Sequence, residues 1–178
     1  MSEERDLNLI IACQDRRFGE QVAKKLAHVF DMYFLDSTAL YEFDIQPYTL
    51  GYVLKKHGME YFREQQMGTM KYVSTFSNTV ITVEPGALLY QKNIDILTKD
   101  GLIVYIKLNE DKLYKRLVNS DYNSKEDYNF YCLNKRELIA RDEVLCAISE
   151  VVVDSTYLTE DACVEAVILE IEKYYGVR

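Results

Sequence analysis

Short apolar runs alternate along the chain with stretches in which apolar residues recur every three or four positions. The runs predict five strands, at 7–12, 32–35, 79–83, 102–106 and 151–153. The stretches between them predict helices at 19–30, 48–57, 59–75, 88–99, 110–118, 133–148 and 160–174. Thr159, followed by two acids, is a favourable N-cap for the last helix. Strands that alternate with helices indicate an α/β fold, with a five-stranded parallel sheet between two helical layers.

The predicted architecture also indicates where ligands would bind. In open parallel sheets the binding crevice lies beyond the carboxyl ends of the strands, where loops meet helix N-termini. Four segments of this chain therefore matter for function, at 13–20, 36–38, 84–86 and 119–141.

Composition narrows the class of protein. The 178 residues, 48% of them hydrophobic, fit one domain spanning 1–178. A net charge of −8 argues against nucleic-acid partners and against docking on an anionic membrane, since both need a basic face. No apolar run is long enough to span a membrane, and the first residues, MSEERD, carry no secretory signal, so the sequence predicts a cytoplasmic protein.

Neither the cysteines nor the histidines predict a metal site. The four cysteines, Cys13, Cys132, Cys146 and Cys163, stand far apart without a C-x-x-C pair, which also argues against a disulfide framework. The chain has only two histidines. We therefore expect no metal ligands of these types.

Several segments, in their order and spacing, match motifs of one known family. Residues 57–64, which read HGMEYFRE, are similar to the motif E-G-E-x-x-F-R-x-x-E. Residues 80–87, VITVEPGA, are similar to the turn V-I-A-T-G-G-G-A, and residues 34–38, FLDST, to the motif F-x-D-x-D. Residues 138–141 and 148–154 resemble an R-x-P-L-Y helix and the last strand. Together these segments resemble the shikimate kinase family of P-loop small-molecule kinases; the resemblance covers nearly the whole chain and implies the shikimate kinase fold.

The resemblance places the phosphate-binding loop, G-x-x-x-x-G-K-[ST], at residues 13–20, which read CQDRRFGE. Cys13 and Phe18 stand at the two glycine positions, Gly19 at the lysine and Glu20 at the hydroxyl residue. Phe18 would resist the glycine conformation, and the phosphates would lose the lysine charge. Glu20 would put a carboxylate at the helix N-terminus that should receive an anion. This degenerate loop predicts that ordinary ATP binding is lost.

The other catalytic parts that the resemblance implies are incomplete. The family's magnesium-binding aspartate is retained as Asp36, the candidate catalytic residue, whereas Thr38 replaces the second aspartate. Of the glycine triad only Gly86 remains, after Glu84 and Pro85, and proline offers no N–H to a substrate. The lid-like segment, about 119–132, contains no arginine, although the family uses a lid arginine on substrate and phosphate. We expect no cofactor, with Mg²⁺ and ATP bound only by an active kinase.

The resemblance makes Arg63 and Arg141 candidate substrate-binding residues, together with Gly86. The family's counterpart of Arg63 binds the shikimate carboxylate. Each residue also has a structural interpretation: Arg63 as a surface salt bridge, Arg141 as a partner of the adjacent Asp142, and Asp36 as a helix N-cap.

The altered loop itself holds further candidates. Arg16 and Arg17 would bind an anion without a glycine cradle, or would only be solvated or bound to a nearby acid such as Asp15. Cys13 is interpreted as a packed thiol at the end of a strand, because no neighbour other than the arginines would lower its pKa.

Three functions follow from these observations. The first is a pseudoenzyme that lacks ATP-dependent phosphotransfer and binds a small carboxylate, such as shikimate, or a protein partner. The second is an active shikimate kinase, or related phosphotransferase, in which Arg16 and Arg17 replace the lysine and Asp36 holds magnesium. The third is a regulatory interaction module, with a protein partner or a second copy of itself and no ligand site.

Overall fold

A computed structural model describes residues 7–122 and 124–177. The N-terminal segment MSEERD and residue 123 of the lid-like segment lie outside the described residues. The strands are β1 (Asn8–Cys13), β2 (Tyr33–Asp36), β3 (Thr79–Val83), β4 (Gly101–Lys107) and β5 (Val151–Asp154). The helices are α1 (Arg16–Val29), α2 (Ser37–Asp44), α3 (Leu50–Val73), α4 (Gln91–Leu97), α5 (Glu110–Val118), α6 (Lys125–Tyr131), α7 (Lys135–Ile148) and α8 (Glu160–Tyr174). A 3-10 turn, Pro85–Leu89, precedes α4.

The five strands form one parallel sheet in the order β2-β3-β1-β4-β5, with β1 at the centre. Alternate residues of β1 point to opposite faces, so that Leu9 and Ile11 join one apolar cluster and Ile10 and Ala12 the other. Helices α1 and α8 cover the first face, whereas α3, α4 and α7 cover the second. The predicted α/β fold with a five-stranded parallel sheet is confirmed.

The sheet brings the strand-end segments to one edge. Because all strands are parallel, Cys13, Asp36 and Val83 end beside one another on β1, β2 and β3. Among the described residues, no helix is long and apolar enough to cross a membrane.

Some elements differ from the prediction. Helix α1 begins at Arg16, three residues before the predicted start, because Asp15 caps it. Helices α2 and α6 were not predicted, since each has only seven or eight residues and too few turns to show a periodicity. The predicted break between helices at 58 is a kink at Gly58, where φ is 83° and a side chain would be strained.

Candidate functional site

The segment that the sequence aligns with a phosphate-binding loop is a two-residue connection. Strand β1 ends at Cys13 and α1 begins at Arg16, so that only Gln14 and Asp15 separate them. The Asp15 side chain accepts a hydrogen bond from Phe18 N at 3.1 Å and caps the helix. The same carboxylate forms an ion pair with Arg116 at 2.7 Å. The N-terminus of α1, which would face a phosphate in a P-loop protein, therefore faces a carboxylate of the chain itself.

Phe18, Gly19 and Glu20 lie inside α1 and not in a loop. A Cβ atom on Gly19 would lie 2.5 Å from the Cys13 Cβ, which indicates that Gly19 lets the helix approach the strand. The Phe18 ring packs against the core and lies 5.6 Å from the Arg116 guanidinium. The prediction that Glu20 occupies the helix N-terminus was wrong: Glu20 is the fifth helical residue and pairs with Lys24 at 2.6 Å.

Cys13 is a packed thiol, as its position at the strand end indicated. It is 5% exposed and lies in the core under α1. Burial, together with the nearby Asp15 charge, raises the pKa of the Cys13 thiol well above its usual value. Cys13 therefore remains protonated and unreactive at neutral pH.

Arg16 is bound by acids of two other elements. Its two terminal nitrogens donate to the two oxygens of Glu42 at 2.7 and 3.0 Å, and one of them also donates to Asp36 Oδ2 at 3.3 Å. Burial alone would lower the pKa of Arg16, but the hydrogen bonds to Glu42 and the charges of Tyr131, Asp36 and Glu42 together outweigh burial and raise the pKa. Arg17, by contrast, is exposed on the same turn and has no ion pair with any described residue. The structural interpretation of this pair, solvated or bound to a nearby acid, describes both arginines, although the acids are Asp36 and Glu42 and not Asp15.

Asp36 caps helix α2, as one of its two interpretations predicted. Its Oδ1 atom accepts hydrogen bonds from Thr38 N at 2.9 Å and from Ala39 N at 3.2 Å. Its Oδ2 atom accepts from Arg16. Both oxygens of Asp36 thus have partners within the protein, and the side chain is only 12% exposed.

Arg63 and Arg141 approach a shared carboxylate, that of Glu84. Arg141 Nη1 lies 3.3 Å from Glu84 Oε1, and the same oxygen accepts from Gly86 N at 2.8 Å. Arg63 Nη1 donates to Gln66 Oε1 at 2.5 Å, and Gln66 Nε2 donates to Glu84 Oε2 at 3.3 Å. The structure therefore brings together all three predicted substrate-binding residues. The predicted pairing of Arg141 with Asp142 was wrong, since Asp142 binds Tyr105 and Lys107.

Helix α6, from the lid-like segment, covers the cleft. Tyr131 donates to Glu42 Oε1 at 3.2 Å, and Phe130 contacts Phe62 with ring centroids 5.5 Å apart. The buried Asp127 accepts from Gly51 N at 3.3 Å. At Gly51 the backbone of α3 approaches that of α6 so closely that a Cβ atom would collide with the Glu126 carbonyl. This helix is a fixed part of the cleft wall.

The remaining space in the cleft is small. The cavity encloses about 40 Å³ and is lined by Arg16, Asp36, Glu84, Tyr131 and Arg141 among others. A cavity of this size accommodates a few water molecules. Outside it lies an open groove of about 770 Å³, which Arg17 and Glu20 line together with residues 119–122.

Sequence reasoning missed three residues of the cleft: Glu42, Gln66 and Tyr131. No motif marks them, and their partners lie 26, 18 and 89 residues away along the chain. The only local signal was that residues 13–20 contain no lysine but do contain Arg16, a cation for which an acidic partner was to be expected.

The chain is similar in sequence to proteins of one known family. The family model described as "Shikimate kinase" matches residues 20–172. A curated shikimate kinase of Clostridium botulinum (strain ATCC 19397 / Type A) is 29% identical over 104 residues, which are 58% of this chain. The matched region spans 61% of the length of that relative, which is less than two thirds.

Solved structures share the fold. A shikimate kinase from Aquifex aeolicus superposes with a TM-score of 0.75 at 15% identity, over 96% of this chain and 99% of that one. A shikimate kinase from Acinetobacter baumannii, solved in complex with shikimate, gives 0.73 at 17% identity, over 97% and 94% of the two chains. At these identities the likeness concerns the fold.

Proposed function

Because the chain belongs to the shikimate kinase family, we propose that it is a noncatalytic member, one that has lost ATP-dependent phosphoryl transfer and retains the scaffold of the substrate site. The observation that carries the proposal is the start of α1. A phosphate-binding loop needs a run of backbone N–H groups that wraps the phosphates ahead of a helix N-terminus. Here two residues join strand and helix, and the Asp15 carboxylate takes the place of the anion.

The residues present do not fit Mg²⁺ and ATP. Asp36 would be the metal ligand, but one oxygen accepts two backbone N–H bonds and the other accepts from Arg16. Magnesium needs oxygen ligands that are free to point at it, in near-octahedral geometry. Arg16, one of the two arginines of the altered segment, is already paired with Glu42. The noncatalytic proposal therefore involves neither group.

A second candidate function, the binding of a small carboxylate, is favoured by the position of the two arginines. Arg141 and Gly86 bind the Glu84 carboxylate directly, and Arg63 reaches it through Gln66. Two guanidinium groups with a backbone N–H form a recurring arrangement for carboxylate recognition. Arginines that pointed away from the cleft would have favoured the interaction module without a ligand site, whereas here both approach Glu84.

The direct test is to measure ligand binding and turnover with the purified protein. We expect no change in melting temperature with MgATP, and no phosphorylation of shikimate, beside an A. baumannii-type shikimate kinase as the positive control. A ligand at a hundred times its Kd adds about 2.7 kcal/mol to the free energy of unfolding. For a domain of this size, that raises the melting temperature by roughly 5–10 °C. A shift of that size with MgATP, or turnover at roughly 1–100 s⁻¹, would overturn the proposal.

Two adjacent variants separate this proposal from the atypical kinase. If Arg16 and Arg17 replaced the lysine, Arg17→Ala would abolish activity, whereas Glu20→Ala would preserve or improve it. We expect both variants to be as inactive as the parent chain, because neither position faces a phosphate cradle. Activity that depends on Arg17 would establish the atypical kinase.

A further inference from the structure

The cluster around Glu84 carries an excess of positive charge. It contains two guanidinium groups, of Arg63 and Arg141, and one carboxylate. The side chains of Arg141 and Glu84 are 19% and 11% exposed, so bulk water screens them poorly. The cluster therefore has enough positive charge to bind a second negative group, or a single negative group that contacts both arginines directly.

Arg63 is the arginine whose charge is the less well compensated. Its hydrogen bond goes to the neutral oxygen of Gln66, and among residues 7–122 and 124–177 it makes no ion pair. Burial lowers the pKa of Arg63; the Glu84 charge opposes this shift and the Arg141 charge adds to it. An arginine in such surroundings is stabilised by an anion that approaches it directly.

Glu84 has the geometry of a bound ligand. Each of its oxygens accepts at least one hydrogen bond, from Gly86 N and Arg141 on one side and from Gln66 on the other. The carboxylate folds back over the Gly86 backbone, where a Cβ atom would lie 2.7 Å from Oε2. The donors that surround it come from α3, α7 and the 3-10 turn, which is a convergence typical of a binding site and unusual for a surface residue.

We propose that Glu84 is an internal ligand that occupies the carboxylate site of this cleft and must be displaced before an external carboxylate binds between Arg63 and Arg141. The inference rests on the second candidate function above and explains why the cleft encloses only about 40 Å³. The occupancy of the site by Glu84 makes it selective. An external ligand with one carboxylate must compete with the Glu84 carboxylate, which is tethered there at a high effective concentration. Removing the tethered carboxylate converts a closed site into an open one.

The test compares the parent chain with Glu84→Ala and Glu84→Gln, using shikimate and its methyl ester as probes. Calorimetry and thermal shift are both done without nucleotide. We expect Glu84→Ala to bind shikimate at least about tenfold tighter than the parent chain, because Arg141 loses its ion-pair partner and Arg63 loses a nearby negative charge. The methyl ester, which has no carboxylate, should show no such gain. Changing Arg63 or Arg141 to Gln in the Glu84→Ala background should remove the gain.

Two further variants keep the result interpretable. Glu84→Gln retains an acceptor for Gly86 N and removes the charge, so it serves if Glu84→Ala does not fold. Glu150→Gln is a matched control, because Glu150 also accepts from a backbone N–H, that of Ile103 at 2.8 Å, but at the opposite end of the sheet. Its shikimate affinity should equal that of the parent chain.

The inference is overturned if folded Glu84 variants bind shikimate no tighter than the parent chain, or if they bind the methyl ester equally well. Glu84 would then be only the N-cap of the 3-10 turn. These outcomes do not involve ATP, so they leave the noncatalytic proposal untouched. Phosphorylation of shikimate by the parent chain would overturn that proposal, and it would be detected in a separate assay.

Discussion

Most arginines of the cleft are held by acids that lie far away along the chain. Arg16 binds Glu42 across 26 residues, Arg141 binds Glu84 across 57, and Arg116 binds Asp15 across 101. A phosphotransferase leaves such cations free for phosphate, because they stabilise charge that develops on the substrate. At the scale of residues, this protein uses its cations to hold its own elements together.

Arg16 and Arg17 offer a matched pair for testing that structural role. We expect Arg16→Ala to lower the free energy of unfolding by about 1–2 kcal/mol, because it leaves Asp36 and Glu42 without their shared cation. The loss is no larger because the Arg16 side chain is 38% exposed, so that water screens its ion pairs. The exposed Arg17→Ala should change it by less than about 0.5 kcal/mol. Urea unfolding of both variants measures the difference. Equal effects would show that the Arg16 network contributes nothing.

Local residue patterns were predictable, whereas charge pairs were not. The caps at Asp36 and Thr159 follow from a small polar residue placed between an element end and a helix start. The partners of Arg16 and Arg141 depend on how distant strands align, which no local pattern encodes. The roles of Asp36, Arg63, Arg141 and Gly86 in ligand binding stay predictions, although Asp36 and Arg141 line the cleft and Arg63 and Gly86 lie beside Glu84.

At the scale of elements, the strands that position the candidate site were predictable, whereas the start of helix α1 was not. The five strands were found because β-branched runs are bounded by turn residues, and this fixed the edge where the site lies. The start of α1 was placed three residues too late because the apolar positions on which that prediction rests begin only at Val22. Asp15, an acid before an amphipathic stretch, was the signal for an earlier start.

Helices α3 and α6 approach each other at Gly51 so closely that a single methyl group should disturb their packing. Gly51→Ala would place its Cβ atom against the Glu126 carbonyl. We expect a loss of about 1–3 kcal/mol, as for overpacked cores, and faster amide hydrogen exchange in residues 125–131. Displacing α6 would also remove Tyr131 from the Arg16–Glu42 pair.

Gly68→Ala is the control for that variant. Gly68 lies in the same helix, and a Cβ atom there would meet nothing within 4 Å. Alanine at an open helical position should stabilise the chain by up to about 1 kcal/mol. If Gly51→Ala behaved like Gly68→Ala, the expected disturbance of the packing between α3 and α6 would be wrong.

At the scale of the whole molecule, the two faces of the sheet depend on the same strands. Strands β1 and β4 supply Leu9 and Val104 to one apolar cluster and Ile10 and Ile103 to the other. Neither cluster persists without these strands, so the two faces should unfold together. A smaller cluster, formed by Tyr41, Leu50, Val53 and Phe62 with Phe130 beside it, lies beyond the sheet edge under α6.

The expected single domain over 1–178 therefore predicts one cooperative transition. Far-ultraviolet circular dichroism reports the helices, whereas tyrosine fluorescence reports all 15 tyrosines without interference from tryptophan, which the chain lacks. We expect the two signals to give the same midpoint in urea, as in two-state unfolding. The Gly51→Ala variant should separate them, because Tyr122, Tyr128 and Tyr131 all belong to the region that α6 anchors. Different midpoints for the two signals in the parent chain itself would show that part of the chain unfolds independently, which would contradict a single cooperative domain.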